Sequence, residues 1–305
     1  MFSKKKIHAI IQSALDENLT EKFFSLPEKN LVTYKEEVLS KLKVEPKTGA
    51  SYIYLKGQKS MPLLYLVHGM GATVHFFFEG VLFLNSLGFS VFSHARLGDE
   101  SKVPEEDLTV ENFVNEMEYV LKKFGHKKFH ILSSSFGVVL SLLLAERHQH
   151  WVKSITSICG FLNFPWNMGL EIARKVFRKS EIEFLSMKAL GPLAPQVKYI
   201  KLRSPDVLDF VLEQYGTIPF KNFLGACVSL KNLHYENTPP KVNVPMYLIH
   251  GAEDMVIPSR QFVNLCNAYP HAQNELMFET GHGPFLSRPV ELYKNYLTFL
   301  LGYYS

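Results

Sequence analysis

Beyond about residue 50 the apolar positions of the chain fall into two alternating rhythms. Short apolar runs at Tyr52–Leu55, Leu63–Val67, Phe89–Phe92, Phe129–Leu132, Ile155–Cys159, Met246–Ile249 and Glu275–Phe278 have the length and bounding residues of strands. Between several of them the spacing changes to that of a helix. Val110, Phe113, Val114, Met117, Val120, Leu121 and Phe124 make an unbroken stripe entered through Thr109, a suitable N-cap. Further helices are predicted over Val138–Ala145, Arg260–Ala268 and Val290–Leu301, the last opened by Pro289 in a first-turn position. Such alternation implies an α/β protein with a mostly parallel sheet covered by helices on both faces. Functional residues of such sheets gather at the carboxyl ends of the strands.

Two stretches break the rhythm. Residues 1–45 carry Ile7, Ile10, Ile11 and Leu15 at helical spacing behind Lys4, Lys5 and Lys6, and form an N-terminal helical extension. No apolar h-region follows the lysines, so no secretory signal is expected. The lysines suit an amphipathic helix packed on the domain or a contact with an anionic membrane surface. Between Gly160 and Pro245 the alternation stops again, and residues 161–235 bring Phe161, Phe164, Trp166, Met168, Phe177, Phe184, Phe210, Tyr215, Phe220 and Phe223 among helical stretches. That is too long for a plain crossover. The expected domains are therefore a core of residues 46–160 and 236–305, the extension 1–45, and a helical insertion, 161–235.

Composition removes several classes of function. Of 305 residues, 47% are hydrophobic and 20% charged, enough to bury a large core. The net charge of +4 falls short of a nucleic-acid binder, and no nucleic-acid module is visible. No stretch approaches the 18 apolar residues of a membrane span. Cys159, Cys227 and Cys266 are odd in number and lie in apolar contexts, which favours buried free thiols in a reducing, cytoplasmic setting.

Chemistry is most visible at Ile131-Leu132-Ser133-Ser134-Ser135-Phe136-Gly137, where a strand breaks and a helix begins. A serine on so sharp a turn needs small residues two before and two after it. Ser135 has Ser133 and Gly137 there; Ser134 would have Leu132 and Phe136, and Ser133 would have Ile131 behind it. The segment alone also fits a serine that merely caps a helix. Two more strands end in candidate residues: Met246–Ile249 runs into His250-Gly251-Ala252-Glu253-Asp254, and Glu275–Phe278 into Glu279-Thr280-Gly281-His282-Gly283-Pro284. Hydroxyl, carboxylate and imidazole thus fall in the order Ser135, Asp254, His282 on one sheet edge. A hydroxyl becomes nucleophilic when an imidazole takes its proton, and a carboxylate orients the imidazole. Glu253 is the competing acid.

Together with His68-Gly69-Met70-Gly71 after Val67 and the acid loop closing at Pro258, these segments resemble the α/β-hydrolase superfamily over roughly residues 50–302. The resemblance implies an α/β-hydrolase fold with a helical cap inserted at 161–235. It implies catalysis by Ser135, Asp254 and His282, an oxyanion hole made by the backbone N–H groups of Met70 and Phe136, and a pocket near His68, Gly69, Phe161, Phe164 and Trp166. No cofactor or metal ion is implied. A dinucleotide loop at Gly69-Met70-Gly71 lacks its third glycine, since Val74 stands there. The stretch Ser93-His94-Ala95-Arg96-Leu97-Gly98 departs from the family pattern, which places an aspartate where His94 stands and a glycine where Leu97 stands. His94 then has either a structural or a supporting role. His148 and His150 form a weak metal-like pair at a solvated helix end.

The function expected from this set is that of a serine hydrolase, esterase-like or lipase-like, cleaving carboxylic esters through an acyl-enzyme on Ser135. The same residues suit carbon-carbon bond hydrolysis or acyl transfer, and the fold also serves as a non-catalytic binding scaffold. Ten Lys or Arg against six Asp or Glu in 161–235 make the insertion basic. That composition suits an acyl substrate with an anionic part or a peripheral membrane contact, or simply a wetted face over the cap's own aromatic core. The expected partner is a small, largely apolar acyl compound.

Overall fold

A sheet of eight strands, seven of them expected from the apolar rhythm, runs through the computed structural model, which describes residues 4–96, 104–164, 194–217 and 220–305. The strands are β1 (Lys43–Val44), β2 (Ser51–Leu55), β3 (Leu63–Val67), β4 (Ser90–His94), β5 (Phe129–Ser134), β6 (Val152–Ile158), β7 (Met246–Gly251) and β8 (Gln273–Met277). Their spatial order is β1-β2-β4-β3-β5-β6-β7-β8. From β4 to β8 all neighbours are parallel, while β1 and β2 join antiparallel at one edge.

The central position of β5 accounts for its sequence. All six residues, Phe129 to Ser134, are buried, which demands a continuous apolar run where a half-exposed strand would alternate. The differences from expectation lie at the edges and in β6, which begins at Val152, three residues before the expected Ile155. β1 has two exposed residues and carries no apolar signal, and β8 begins at Gln273, two residues before the expected start, because an edge strand tolerates exposed polar residues. β1 also precedes residue 46, so the sheet begins inside the expected N-terminal extension.

Odd and even positions of the inner strands feed two separate cores. Leu64, Leu66 and Leu132 face a cluster that includes Ile7, Ile11, Phe24, Leu31, Tyr34, Phe78, Val81 and Tyr293. Tyr65, Val67 and Ile131 face Phe113, Met117, Phe136, Val139 and Leu265 on the other side. The first layer comprises helices α1 (Lys4–Asp16), α2 (Leu19–Phe24), α3 (Pro27–Thr33), α4 (Phe78–Ser86) and, late in the chain, α12 (Pro289–Tyr304). The second layer comprises α5 (Val110–Lys123), α6 (Phe136–Arg147) and α10 (Ser259–Ala268). The amphipathic stripe predicted from Val110 is α5, and Thr109 caps it by accepting the Asn112 N–H at 3.1 Å.

The N-terminal helices are thus one side of the core, with Ile7 and Ile11 completely buried. Of the expected insertion, α7 (Ala194–Arg203), α8 (Pro205–Gly216) and α9 (Phe220–Ser229) are described; Trp166, Met168, Phe177 and Phe184 lie outside the described residues, as do Leu97 and Gly98. Among the described residues no helix is long and apolar enough to cross a membrane.

Candidate active site

Ser135 sits between β5 and α6 at φ 54°, ψ −121°, a left-handed conformation that residues with a side chain rarely adopt. Such a backbone costs about 1–3 kcal/mol and persists where the surroundings impose it. Here the neighbouring strand contributes: Ser135 N–H donates to Ile158 O at 2.8 Å. Two residues on, α6 passes so close to the end of β3 that a Cβ on Gly137 would lie 2.5 Å from Val67 O and 2.7 Å from His68 O. Two residues before, the fully buried Ser133 donates its hydroxyl to Thr156 O at 3.2 Å, so this hydroxyl is spent on the sheet.

Asp254 and His282 stand at the ends of the next-but-one strand and the strand beside it, β7 and β8. Their loops are zipped together: Ala252 N–H donates to Met277 O at 2.7 Å and Glu253 N–H to Thr280 O at 3.0 Å, and a Cβ on Gly251 would lie 2.1 Å from Gly281 O. His282 donates through Nδ1 to Asp254 Oδ2 at 2.8 Å. Asp254 Oδ1 accepts from Val256 and Ile257 N–H, each at 2.9 Å. Burial alone would raise the Asp254 carboxyl, but the His282 imidazole and these donors outweigh it and hold the group below the usual carboxylate range. Cys159, at the end of β6, completes the cluster. Its buried thiol, which donates to Gly281 O at 3.9 Å, is pushed well above the ordinary range by burial and by the nearby Asp254 carboxylate. Cys159, Asp254 and His282 converge closely enough to suggest a metal-ligand set, their ligand atoms lying within 4.8 Å of one another. A thiol held protonated and a carboxylate already accepting three N–H groups make the cluster a hydrogen-bonded set as it stands.

The loop after β3 approaches Ser135 directly: a Cβ on Gly69 would lie 3.0 Å from the Ser135 Cβ. Met70 follows it, partly buried against the second core, and Phe136 is the first residue of α6, where N–H groups lack intrahelical acceptors. Arg96 holds this loop. Its Nη1 donates to His68 O at 2.9 Å and its Nη2 to Gly69 O at 2.6 Å, with the guanidinium 5.5 Å from the Phe136 ring centre. His68 is itself buried, and burial and the adjacent Arg96 push its imidazole well below the usual range, so it is neutral. Arg96 was visible in the sequence as part of an atypical loop; its grip on two carbonyls was not, because nothing in the local pattern shows what a guanidinium faces.

The remaining candidates have plain positions. Phe161 is buried in the second core, its ring centre 5.7 Å from that of the half-buried Phe164. His94 is buried at the end of β4, shares a 3.0 Å hydrogen bond with Tyr65 OH, and is held near pKa 3 by burial. His148 stacks on Trp151 at 4.0 Å, its Nε2 3.2 Å from Glu118. His250, expected to end its strand, lies inside β7, stacked on Phe262. Glu253 accepts from Tyr199 OH at 2.5 Å, away from the imidazole that Asp254 holds. Sequence reading missed Glu79, the one charged residue of the apolar helix α4, buried and paired with Arg203. A lone carboxylate in such a helix is a usable signal, since burial without a partner is prohibitive.

A family model described as alpha/beta hydrolase fold matches residues 62–289. The chain belongs to this family. Among curated relatives, it is 26% identical over 255 residues to a proline iminopeptidase of Lactobacillus delbrueckii subsp. bulgaricus, covering 74% of this chain and 84% of that one. It is 20% identical over 258 residues to the monoacylglycerol lipase ABHD6 of Bos taurus, covering 80% and 77%. The crystal structure of a hydrolase from Pseudomonas aeruginosa PA01 superposes with a TM-score of 0.72 at 17% identity, over 86% of this chain and 97% of the other.

Proposed function

We propose that the protein is a serine hydrolase that cleaves carboxylic esters. The observation that carries this reading is the left-handed Ser135 at a strand-to-helix turn, on the same sheet edge as an imidazole already oriented by a buried carboxylate. With Nδ1 committed to Asp254, the other nitrogen of His282, Nε2, takes the Ser135 hydroxyl proton as Oγ attacks the acyl carbon. The carbonyl electrons move onto oxygen, which the Met70 and Phe136 N–H groups stabilise. Each such donor is worth about 3–4 kcal/mol of barrier in related chemistry. Collapse of this intermediate breaks the bond to the alcohol, which leaves with the proton from His282. Water repeats the sequence on the acyl-enzyme and frees the acid and Ser135. The aromatic residues Phe161 and Phe164 and helices of the described part of the insertion form the acyl side of the pocket, and the substrate is a small, largely apolar ester. The hydrolase names carried by the relatives support the reaction class. The test is stoichiometric labelling by a fluorophosphonate together with turnover of p-nitrophenyl esters. Both are expected in the parent and absent from Ser135→Ala; an unlabelled parent, or ester turnover that survives the substitution, would sink the reading.

A further inference from the structure

One guanidinium ties three parts of the chain to the loop that carries His282. Arg203, the last residue of α7, donates through Nη1 to Glu79 Oε2 at 2.7 Å and to Leu286 O at 3.1 Å. Its Nη2 donates to Glu79 Oε1 at 2.6 Å and to Phe24 O at 3.1 Å. Glu79 is 2% exposed on α4, inside the first core, and also accepts from Asn30 Nδ2 at 3.1 Å. The pair is therefore fixed to the first core. Leu286 belongs to α11 (Pro284–Ser287), a single turn that begins two residues after His282. A turn this short leaves its terminal carbonyls without helical partners, and Arg203 supplies one.

The same helix touches the catalytic loops twice more. Gln196 is buried over Gly283, the residue after His282: a Cβ on Gly283 would lie 2.4 Å from Gln196 Nε2. Tyr199 OH donates to Glu253, the residue before Asp254. Positions 196, 199 and 203 share one face of α7. One helix thus grips both the acid loop and the imidazole loop, and its anchor is the pairing of the half-buried Arg203 with the buried Glu79.

We infer that Arg203 is a positioning residue for the reaction proposed above, setting the place of His282 through α11 while touching neither substrate nor reacting atoms. The inference rests on that reading for its kinetic consequence only. A lysine cannot replace the guanidinium, because one ammonium group cannot reach a forked carboxylate and two carbonyls in different directions. Misplacing a catalytic group by about 1 Å costs on the order of 100-fold in rate.

The test uses the full chain with Arg203→Lys and with the paired change Arg203→Met and Glu79→Leu, which replaces this ion pair by apolar side chains and removes the grip on Leu286 without stranding a charge. Three quantities are read: the melting temperature, the low-field proton resonance of the His282 Nδ1–H, assigned by its loss in His282→Gln, and kcat and KM for a p-nitrophenyl ester. The expected result is a folded protein whose Nδ1–H resonance is shifted or broadened and whose kcat falls about 10- to 100-fold with KM little changed. Lys201→Ala, on the exposed face of α7, is expected to leave all three as in the parent. A folded paired variant with the parent resonance and the parent kcat would overturn the inference. Should the paired variant fail to fold, Arg203→Lys decides by the same readings. An inactive parent whose resonance is still lost on substitution would refute the esterase reading and leave the positioning role standing.

Discussion

His282 donates through Nδ1 to one oxygen of the Asp254 carboxylate at 2.8 Å, while the other oxygen accepts two backbone N–H groups from the turn that follows. The carboxylate is thereby fixed on both sides, and its acceptor lone pair dictates which imidazole nitrogen carries the proton. Asp254→Asn keeps the size and presents an amide that can favour the wrong tautomer. The expected loss is about a thousand- to ten-thousand-fold in kcat on activated esters, with fold retained by circular dichroism. Glu253→Gln, whose carboxylate faces Tyr199, is expected to lose far less. Equal losses in the two variants would mean that Asp254 is not the orienting acid.

Arg96 spans the carbonyls of His68 and Gly69 just ahead of Met70. Arg96→Met removes both hydrogen bonds but leaves a side chain that can still cover the Phe136 ring. Losing the first leaves the buried His68 carbonyl short of a donor, about 1–3 kcal/mol, whereas Gly69 O keeps the His68 Nδ1–H at 3.1 Å. If that loop places an oxyanion donor, kcat falls by about 10- to 100-fold while KM changes little. Steady-state kinetics beside a thermal melt separate this from simple destabilisation.

At the elbow, the two small residues differ in how much freedom they have. Gly137→Ala puts a methyl group 2.5 Å from Val67 O, against backbone that cannot move aside. A loss of about 1–3 kcal/mol is expected, hence a melting temperature lower by several degrees. Ser133→Gly removes only a 3.2 Å hydrogen bond to Thr156 O, about 1 kcal/mol, and keeps the turn. The reverse order in differential scanning calorimetry would contradict the steric account.

The sequence made the inner fold legible because buried parallel strands and the helices over them have strong, distinct periods. β3, β5 and β7 appear within a residue or two of their expected limits, and Thr109 caps α5 as its residue type suggests. The candidate residues were legible as well, since the turn around Ser135 needs small neighbours and the loops after β7 and β8 advertise Asp254 and His282. Long-range partnership was not. Glu79 and Arg203 lie 124 residues apart, and Lys43–Val44 enters the sheet only because β2 offers it an edge. Such pairings depend on which surfaces tertiary packing brings together, a quantity that no local window contains.

Thiol reactivity gives a simple check of the packing. Cys159 and Cys227 are buried and Cys266 is partly exposed, all three free. Burial pushes the Cys227 thiol up to about 12 and the Cys159 thiol well above its ordinary range, while Cys266 is raised less. Native protein is therefore expected to react with a chromogenic disulfide at Cys266 first, and to show three thiols in denaturant. Fast native reaction at Cys159 would mean that the region behind Asp254 is open to solvent.

Stability toward acid should be governed first by buried histidines. Burial holds His94 near pKa 3 and His75 near 4, against about 6.5 in the unfolded chain. Both are therefore neutral when folded, and as the pH falls below 6.5 the unfolded chain binds protons that the folded one refuses. Stability is full above 6.5 and declines below it, by up to about 1.4 kcal/mol per pH unit for each group. His75 stops contributing near pH 4; His94 continues toward 3. Asp254, whose carboxyl is lowered, acts in a different window. Its contribution is present above the ordinary carboxylate pKa of about 3.9 and is lost only as the pH falls below that value. Between pH 7 and pH 5 the decline thus belongs to the histidines, about 2 kcal/mol for each. Urea unfolding of His94→Phe should start lower at pH 7, because Tyr65 OH loses its 3.0 Å partner, and should decline by about 2 kcal/mol less than the parent on moving to pH 5. Parallel declines in variant and parent would show that His94 takes up its proton without unfolding.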